Sequence, residues 1–106
     1  MTRNPPPDRT PDGHYVLIHG RRWRASDPGL PADVAARLRS HLMAARRAVH
    51  SALRSHDVRA ERVARRRVHT AKVALGERGT PWWEQDDEQR RIRWREGLAA
   101  LDEDGA

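Results

Sequence analysis

Arginine side chains recur at helical spacing along the middle of the chain, where they would form two basic stripes on amphipathic helices. Groups spaced in this way can contact successive phosphates of a nucleic acid and release the counterions bound there. The upstream segment HGRRWR could extend the same surface. The alternative is that the stripes are solvated outer faces of helices. The predicted phosphate-binding residues are Arg22, Arg24, Arg39, Arg46, Arg47, Arg54, Arg59, Arg62 and Arg66.

The positive charge is concentrated in the middle of the sequence. The formal net charge is +6, from 21 basic and 15 acidic residues. Residues 14–79 carry 15 basic and 5 acidic groups, whereas residues 80–106 carry 4 basic and 8 acidic groups. This distribution predicts either a polyanionic partner or screening of the basic segment by the acidic C-terminal segment. All the basic residues except Lys72 are arginine, a bias that a GC-rich genome also produces.

Tryptophan supplies most of the aromatic surface in a sequence that has no phenylalanine. Exposed Trp rings can stack on the bases of a single strand, whereas buried rings fill the space that Ala-rich helices leave. We favour the second role for Trp23, for Trp94 and for the adjacent pair Trp82 and Trp83. Lys72, Glu77 and Arg78 lie beside this pair in sequence and could bind a small anion or form a buried salt bridge.

The segment 76–79, GERG, matches the GxxG spacing that clamps nucleotide backbones in KH domains. That module requires a helix directly after the loop, and here Pro81 and the two tryptophans follow. We therefore interpret the glycines as the termination of a helix.

Composition excludes several kinds of chemistry. The absence of cysteine removes disulfides, iron–sulfur clusters, thiolate zinc sites and thiol nucleophiles. The 6 histidines include no H-E-x-x-H motif and no pair at i, i+4 spacing, so no metal site is predicted. No Ser-His-Asp arrangement, carboxylate pair or phosphate-binding loop can be identified. We expect a binding protein that is not an enzyme and that uses no cofactor.

No apolar run approaches the roughly 20 residues that span a bilayer. The first residues, MTRNPPPD, lack the apolar region of a signal peptide. We expect a cytoplasmic protein with no membrane partner.

The predicted elements form one small α+β domain that is mostly α. Residues 1–13 read as a disordered proline-rich leader, and residues 14–25 as a β-hairpin that turns at His19-Gly20. We expect the face of the hairpin that carries Val16, Ile18, Trp23 and Ala25 to be buried against an antiparallel helical hairpin. The predicted helices are 31–54, 58–75 and 87–101, the last with Asp86 and Gln89 as a capping pair, and residues 102–106 should fray.

Two stretches, DGHYVLIHGRRWRASDP at 12–28 and AKVALGERGTPWW at 71–83, resemble a family of small bacterial proteins of unknown function that often carry the label "biopolymer transporter Tol". With the segment MAARRAV at 43–49, the resemblance spans about residues 12 to 84. Tol-type transport components require a membrane anchor, so the label does not lead us to predict transport. The resemblance implies that Trp23, Lys72, Glu77, Arg78, Trp82 and Trp83 belong to one shared feature, either core or site.

The function predicted from these patterns is a small binding module that contacts DNA or RNA with low sequence specificity, because phosphate contacts position a protein without reading bases. The alternative is a protein-interaction or self-associating helical module whose arginine faces meet acidic surfaces.

Overall fold

The computed structural model describes residues 7–104, with the backbone alone at residue 104. The element order is β1 (Asp8–Arg9), β2 (Tyr15–Ile18), β3 (Arg21–Arg24), α1 (Ala32–Arg54), α2 (Val58–Leu75) and α3 (Asp87–Asp104), with a short 3₁₀ turn at Trp82–Glu84. The predicted α+β, mostly α class is confirmed.

The β2–β3 hairpin has the predicted register. His19 and Gly20 form its turn, both with positive φ, a conformation that glycine adopts without strain. The cross-strand pairs are Tyr15 with Arg24, Val16 with Trp23, Leu17 with Arg22, and Ile18 with Arg21.

A third strand extends the hairpin at its β2 edge. The prediction that residues 1–13 lie outside the fold is wrong for Asp8 and Arg9, which pair antiparallel with Leu17 and Val16. The edge of β2 offers free backbone groups, and this dipeptide between the prolines keeps both of its N–H donors. Thr10 N then donates to Tyr15 O at 2.9 Å. Residues 1–6 of the predicted leader lie outside the described residues.

The helical hairpin follows the predicted bounds closely. Pro31 is the residue before α1 and not its first residue, a shift of one position. Helix α2 begins after Asp57, whose side chain accepts from Ala60 N, and ends at Gly76 in the left-handed conformation. Alanines at the seam let α1 and α2 approach closely.

Helix α3 packs on α2 and covers one side of the helical hairpin. Its start has the predicted capping pair, in which Gln89 N donates to Asp86 Oδ1 and Asp86 N donates to Gln89 Oε1. The core combines residues of all three helices, with Leu38, Leu75 and Leu101 fully buried.

Helix α3 also continues further than the apolar pattern predicts. The prediction that residues 102–106 fray is wrong for 102–104, because Asp102 accepts from Arg37 and lies 2.7 Å from His41 Nε2. Residues 105–106 lie outside the described residues.

The far end of the helical hairpin is less well covered. Leu53, Val58 and Val63 are all exposed there. The apolar surface of the helical hairpin therefore extends beyond the part that is buried by contacts within the protein.

The sheet meets the helices at the C-terminal end of α2 and the loop that follows it. Asp27 N donates to Leu75 O at 2.8 Å, and Arg24 Nη1 donates to Gly79 O at 2.6 Å. The prediction that the Val16, Ile18, Trp23 and Ala25 face is buried is wrong for Ile18 and Trp23, which are 39% and 40% exposed, whereas Ala25 is buried. The face is held at its end and not along its length, so a cleft remains beneath it. No helix within residues 7–104 is long and apolar enough to cross a membrane.

Candidate anion-binding groove

A basic groove runs along the side of the helical hairpin that α3 leaves uncovered. Its walls come from one turn of α1 and the facing turns of α2. Arg46, Val49 and His50 contribute from α1, Arg65 and Val68 from α2, and Arg78 from the following loop. The groove is about 320 Å³ in volume.

A second cavity, which we call the Trp23 cleft, lies between the sheet and the same helices. It measures about 440 Å³, and Arg46 lines both spaces. The cleft is therefore next to the groove, and one guanidinium borders both. Its lining residues are Arg9, Val16, Ile18, Trp23, Arg24, Ala25, Ser26, Arg46, Lys72 and Glu77.

Positive charge dominates both spaces. Partial burial lowers the pKa of the Lys72 ammonium, the neighbouring Arg78 and Arg46 lower it further, and the Glu77 carboxylate opposes the change. Ser26 Oγ donates to Glu77 Oε2 at 2.6 Å. Among residues 7–104, Arg46 forms no salt bridge with a carboxylate. Like charges thus gather where an anion could neutralise them.

The other cations of the groove have partners within the protein. Arg65 Nε donates to Glu61 Oε2 at 2.7 Å, four residues earlier on α2. Arg78 Nη1 lies 3.1 Å from His69 Nδ1. An exposed pair such as Arg65 and Glu61 contributes little stability, so Arg65 can exchange its partner for a phosphate at small cost.

Trp23 presents an aromatic ring to the cleft. Its ring is approached by two cations, the Arg21 guanidinium carbon at 4.5 Å and Lys72 Nζ at 5.4 Å from the ring centroid. The residue is neither a core residue nor fully solvated. It combines an accessible π surface with adjacent positive charge.

The structure gathers few of the nine predicted phosphate-binding residues. Arg46 lies in the groove, and helical spacing places Arg39 on the same side of α1. Arg59 lines an apolar depression near Val63 at the far end of the helical hairpin. Helical spacing directs the others on the helices away from the seam, namely Arg47 and Arg54 on α1 and Arg62 and Arg66 on α2.

Of the two predicted arginines of the sheet, Arg24 also lines the Trp23 cleft, and both contact aromatic rings outside it. The Arg22 guanidinium carbon lies 4.2 Å from the centroid of the Tyr15 ring. Arg24 donates to Gly79 O and lies 5.8 Å from the Trp83 ring centroid. Arg24 therefore helps to hold the sheet to the loop, and Arg22 packs on the opposite side of the sheet from Trp23.

Sequence reasoning did not assign Arg9, Arg65 or His50 to a site, and it left open whether Lys72 and Arg78 bind an anion or belong to the core. The signal that links Arg65 with Lys72 is their separation of seven residues on one helix, which puts them on the same face. Arg9 carried no such signal, because it reaches the cleft only through the pairing of β1 with β2, which no turn motif in the sequence indicated.

The tryptophan pair has a structural role. Trp82 is 7% exposed, and its Nε1 donates to Ala25 O at 3.0 Å, which joins the loop after α2 to the end of β3. Trp83 is half-buried and stacks on His14, with ring centroids 3.8 Å apart and planes nearly parallel. The rings thus fasten the sheet to the helices.

A buried ion pair completes this junction, and the sequence did not point to it. Asp27, whose side chain is 1% exposed, accepts from Arg93 Nη2 at 2.6 Å and from Gly29 N at 2.7 Å. Arg93 also donates to Ala74 O and to Gln85 Oε1. One guanidinium therefore connects the turn before α1, the end of α2 and the start of α3.

Within residues 7–104, no group of three His, Asp or Glu side chains is placed so that it could hold a metal ion. Comparison with protein-family models, curated proteins and solved structures finds no match to this chain. The proposal for function therefore depends on the geometry of the chain's own residues.

Proposed function

We propose that this protein is a nucleic-acid-binding module of low sequence specificity, and that the basic groove and the Trp23 cleft together form its binding surface. The observation that carries the proposal is the convergence of three cations, since Arg46 and Arg78 line the groove together and Arg46 and Lys72 line the cleft together. Binding of such a cluster to phosphates is favourable because it releases the counterions condensed on the nucleic acid. Contacts of this kind position a backbone without reading bases. A cytoplasmic location and the absence of catalytic activity belong to the same proposal.

The experiment compares two adjacent arginines that differ in position but not in chemistry. Arg46→Gln removes the cation that borders both spaces, whereas Arg47→Gln removes an exposed cation directed away from the seam. Fluorescence anisotropy with labelled single-stranded and duplex DNA, repeated over a range of salt concentrations, gives the affinity and its salt slope for each variant.

We expect Arg46→Gln to lower the log–log salt slope on duplex DNA by about 0.9 and Arg47→Gln to change it much less. Equal effects of the two substitutions would place binding on the outer stripes and not in the groove. If the wild-type protein binds neither form of DNA at about 50 mM salt, the proposal is wrong.

The second candidate function is protein interaction or self-association. The observation in its favour is the exposed apolar surface at the far end of the helical hairpin, where Leu53, Val58 and Val63 lie. Sedimentation of the nucleic-acid-free protein distinguishes the two, because self-association through this surface would produce a dimer that Val63→Glu dissociates.

A further inference from the structure

The Trp23 cleft has the size and lining of a small-ligand site. Its volume of about 440 Å³ falls within the range of about 300 to 1,000 Å³ that such sites occupy. Val16, Ile18 and Trp23 provide an apolar wall from the sheet, and Ala25 adds to it. A flat apolar group would be desolvated on one side by this wall.

Polar groups lie in the same cavity beside the apolar wall. Lys72 and Arg46 supply positive charge, and the hydrogen-bonded pair of Ser26 and Glu77 supplies a hydroxyl and a carboxylate. A ligand that fits both halves has a flat ring and an anionic group next to it. Nucleotides combine these two features.

We propose that the Trp23 cleft receives one unpaired base of a single-stranded nucleic acid, stacked on Trp23, while Arg46 and Lys72 contact the flanking phosphates. This inference rests on the proposed function and specifies its preferred ligand. A paired base in a duplex is stacked between its neighbours and cannot enter such a cleft without being extruded, which breaks its pairing and stacking. Phosphate contacts in the groove alone would not favour a single strand, so the preference for one comes from the base.

Arg21 also contributes to binding of the base on Trp23. Its guanidinium lies against the Trp23 ring on an exposed part of β3. When a base occupies the ring, the guanidinium can move to a phosphate of the strand or stack on the bound base. Trp23 therefore exchanges one π partner for another, and its ring stays covered.

The experiment measures anisotropy of a fluorescein-labelled single strand of mixed sequence and of the duplex made from it. The variants are Trp23→Ala, Trp23→Phe and Ile92→Ala, the last a control on α3 whose side chain is 47% exposed, similar to the 40% of Trp23. Because Trp23 is outside the core, all three variants should keep the helical circular-dichroism spectrum. Unlabelled adenosine monophosphate serves as a competitor, since a free nucleotide has the same chemistry as one unit of a strand.

The expected result is that Trp23→Ala weakens single-strand binding about tenfold, that Trp23→Phe and Ile92→Ala change it little, and that no variant alters duplex binding. Equal loss on both forms of DNA, or no loss with Trp23→Ala, overturns the inference but leaves the proposed function in place while the wild type still binds. Adenosine monophosphate that competes as well as the unlabelled strand overturns the assignment to a strand. Absence of binding by the wild type overturns both proposals.

Discussion

The Asp27–Arg93 junction and the basic groove use the same kinds of side chain in opposite ways. At the junction, Arg93 is 6% exposed and is surrounded by a carboxylate, a backbone carbonyl and an amide oxygen. In the groove, Arg46 lies near Lys72 and pairs with no carboxylate among residues 7–104. A charge with all its partners in the protein connects structural elements, whereas like charges held close together destabilise the fold until an anion neutralises them.

The largest expected effect comes from removing the buried ion pair between Asp27 and Arg93. Asp27→Asn leaves the Arg93 guanidinium buried without a counter-charge, which should lower the free energy of unfolding by about 3 kcal/mol in urea denaturation. Asp33→Asn, at an exposed position in the first turn of α1, should cost less than about 1 kcal/mol. If the two substitutions have equal effects, the junction is not what holds the three elements together.

Removal of a cation from the groove and cleft should not lower the stability of the fold, in contrast to the loss of Asp27. Lys72→Met removes a cation whose burial is unfavourable, so the melting temperature should stay equal to that of the wild type or rise. The same substitution should lower the salt slope for duplex DNA by about 0.9, and Lys72→Arg should restore most of it. A large drop in melting temperature together with unchanged binding would show that Lys72 has a structural role and does not bind nucleic acid.

The contact of Asp102 with Arg37 and His41 is paired but exposed, so it shows how much pairing contributes to stability without burial. Asp102 on α3 is contacted by His41 and Arg37 of α1, and the hydrogen bond from His41, with the charge of Arg37, lowers the pKa of its carboxyl group. This carboxylate therefore stabilises the fold above its unfolded-state pKa of about 3.9, and the contribution disappears as the pH falls through the lower folded-state value. Because the pair is exposed, the effect should be the smallest of the three.

Thermal melts from neutral pH down to about pH 3 test this expectation, in a range that includes the ordinary Asp pKa. The melting temperature of the wild type should fall more steeply below about pH 4 than that of Asp102→Asn. Glu103→Gln is the matched control, because it removes the neighbouring exposed charge and should keep the wild-type slope. Parallel curves for all three proteins would show that the contact contributes nothing measurable.

Local signals explain why the helices and the hairpin could be predicted. The bounds of α2 follow from Asp57 at one end and Gly76 at the other, and the hairpin register follows from the turn at His19-Gly20. Each of these depends on residues a few positions apart. Capping and turn geometry are local, so one sequence suffices to find them.

The parts that sequence reasoning missed depend on contacts that capping and turn patterns do not indicate. Strand β1 exists because an edge of β2 is available to it, and Asp27 is buried because Arg93, 66 residues later, reaches it. Trp23 belongs to an alternating pattern that predicts burial. The sheet contacts the helices only at one end, however, and Trp23 is 40% exposed. The basic groove was therefore only partly predicted, through Arg46, because Arg65 and Arg78 reach it from other elements.

Gly97 on α3 has a consequence for how the sequence can change. A Cβ placed on this glycine would lie 2.5 Å from the Ala74 Cβ, closer than packed atoms allow. Gly97 is one helical turn from Arg93, so a methyl group there would lift from α2 the same face of α3 that carries the guanidinium to Asp27. A change from glycine to alanine needs one nucleotide and usually strengthens a helix, but at this position it would separate an ion pair that it does not touch. Substitutions at 97, 74, 93 and 27 are thus linked, and the residue tolerated at one of these positions depends on those present at the other three.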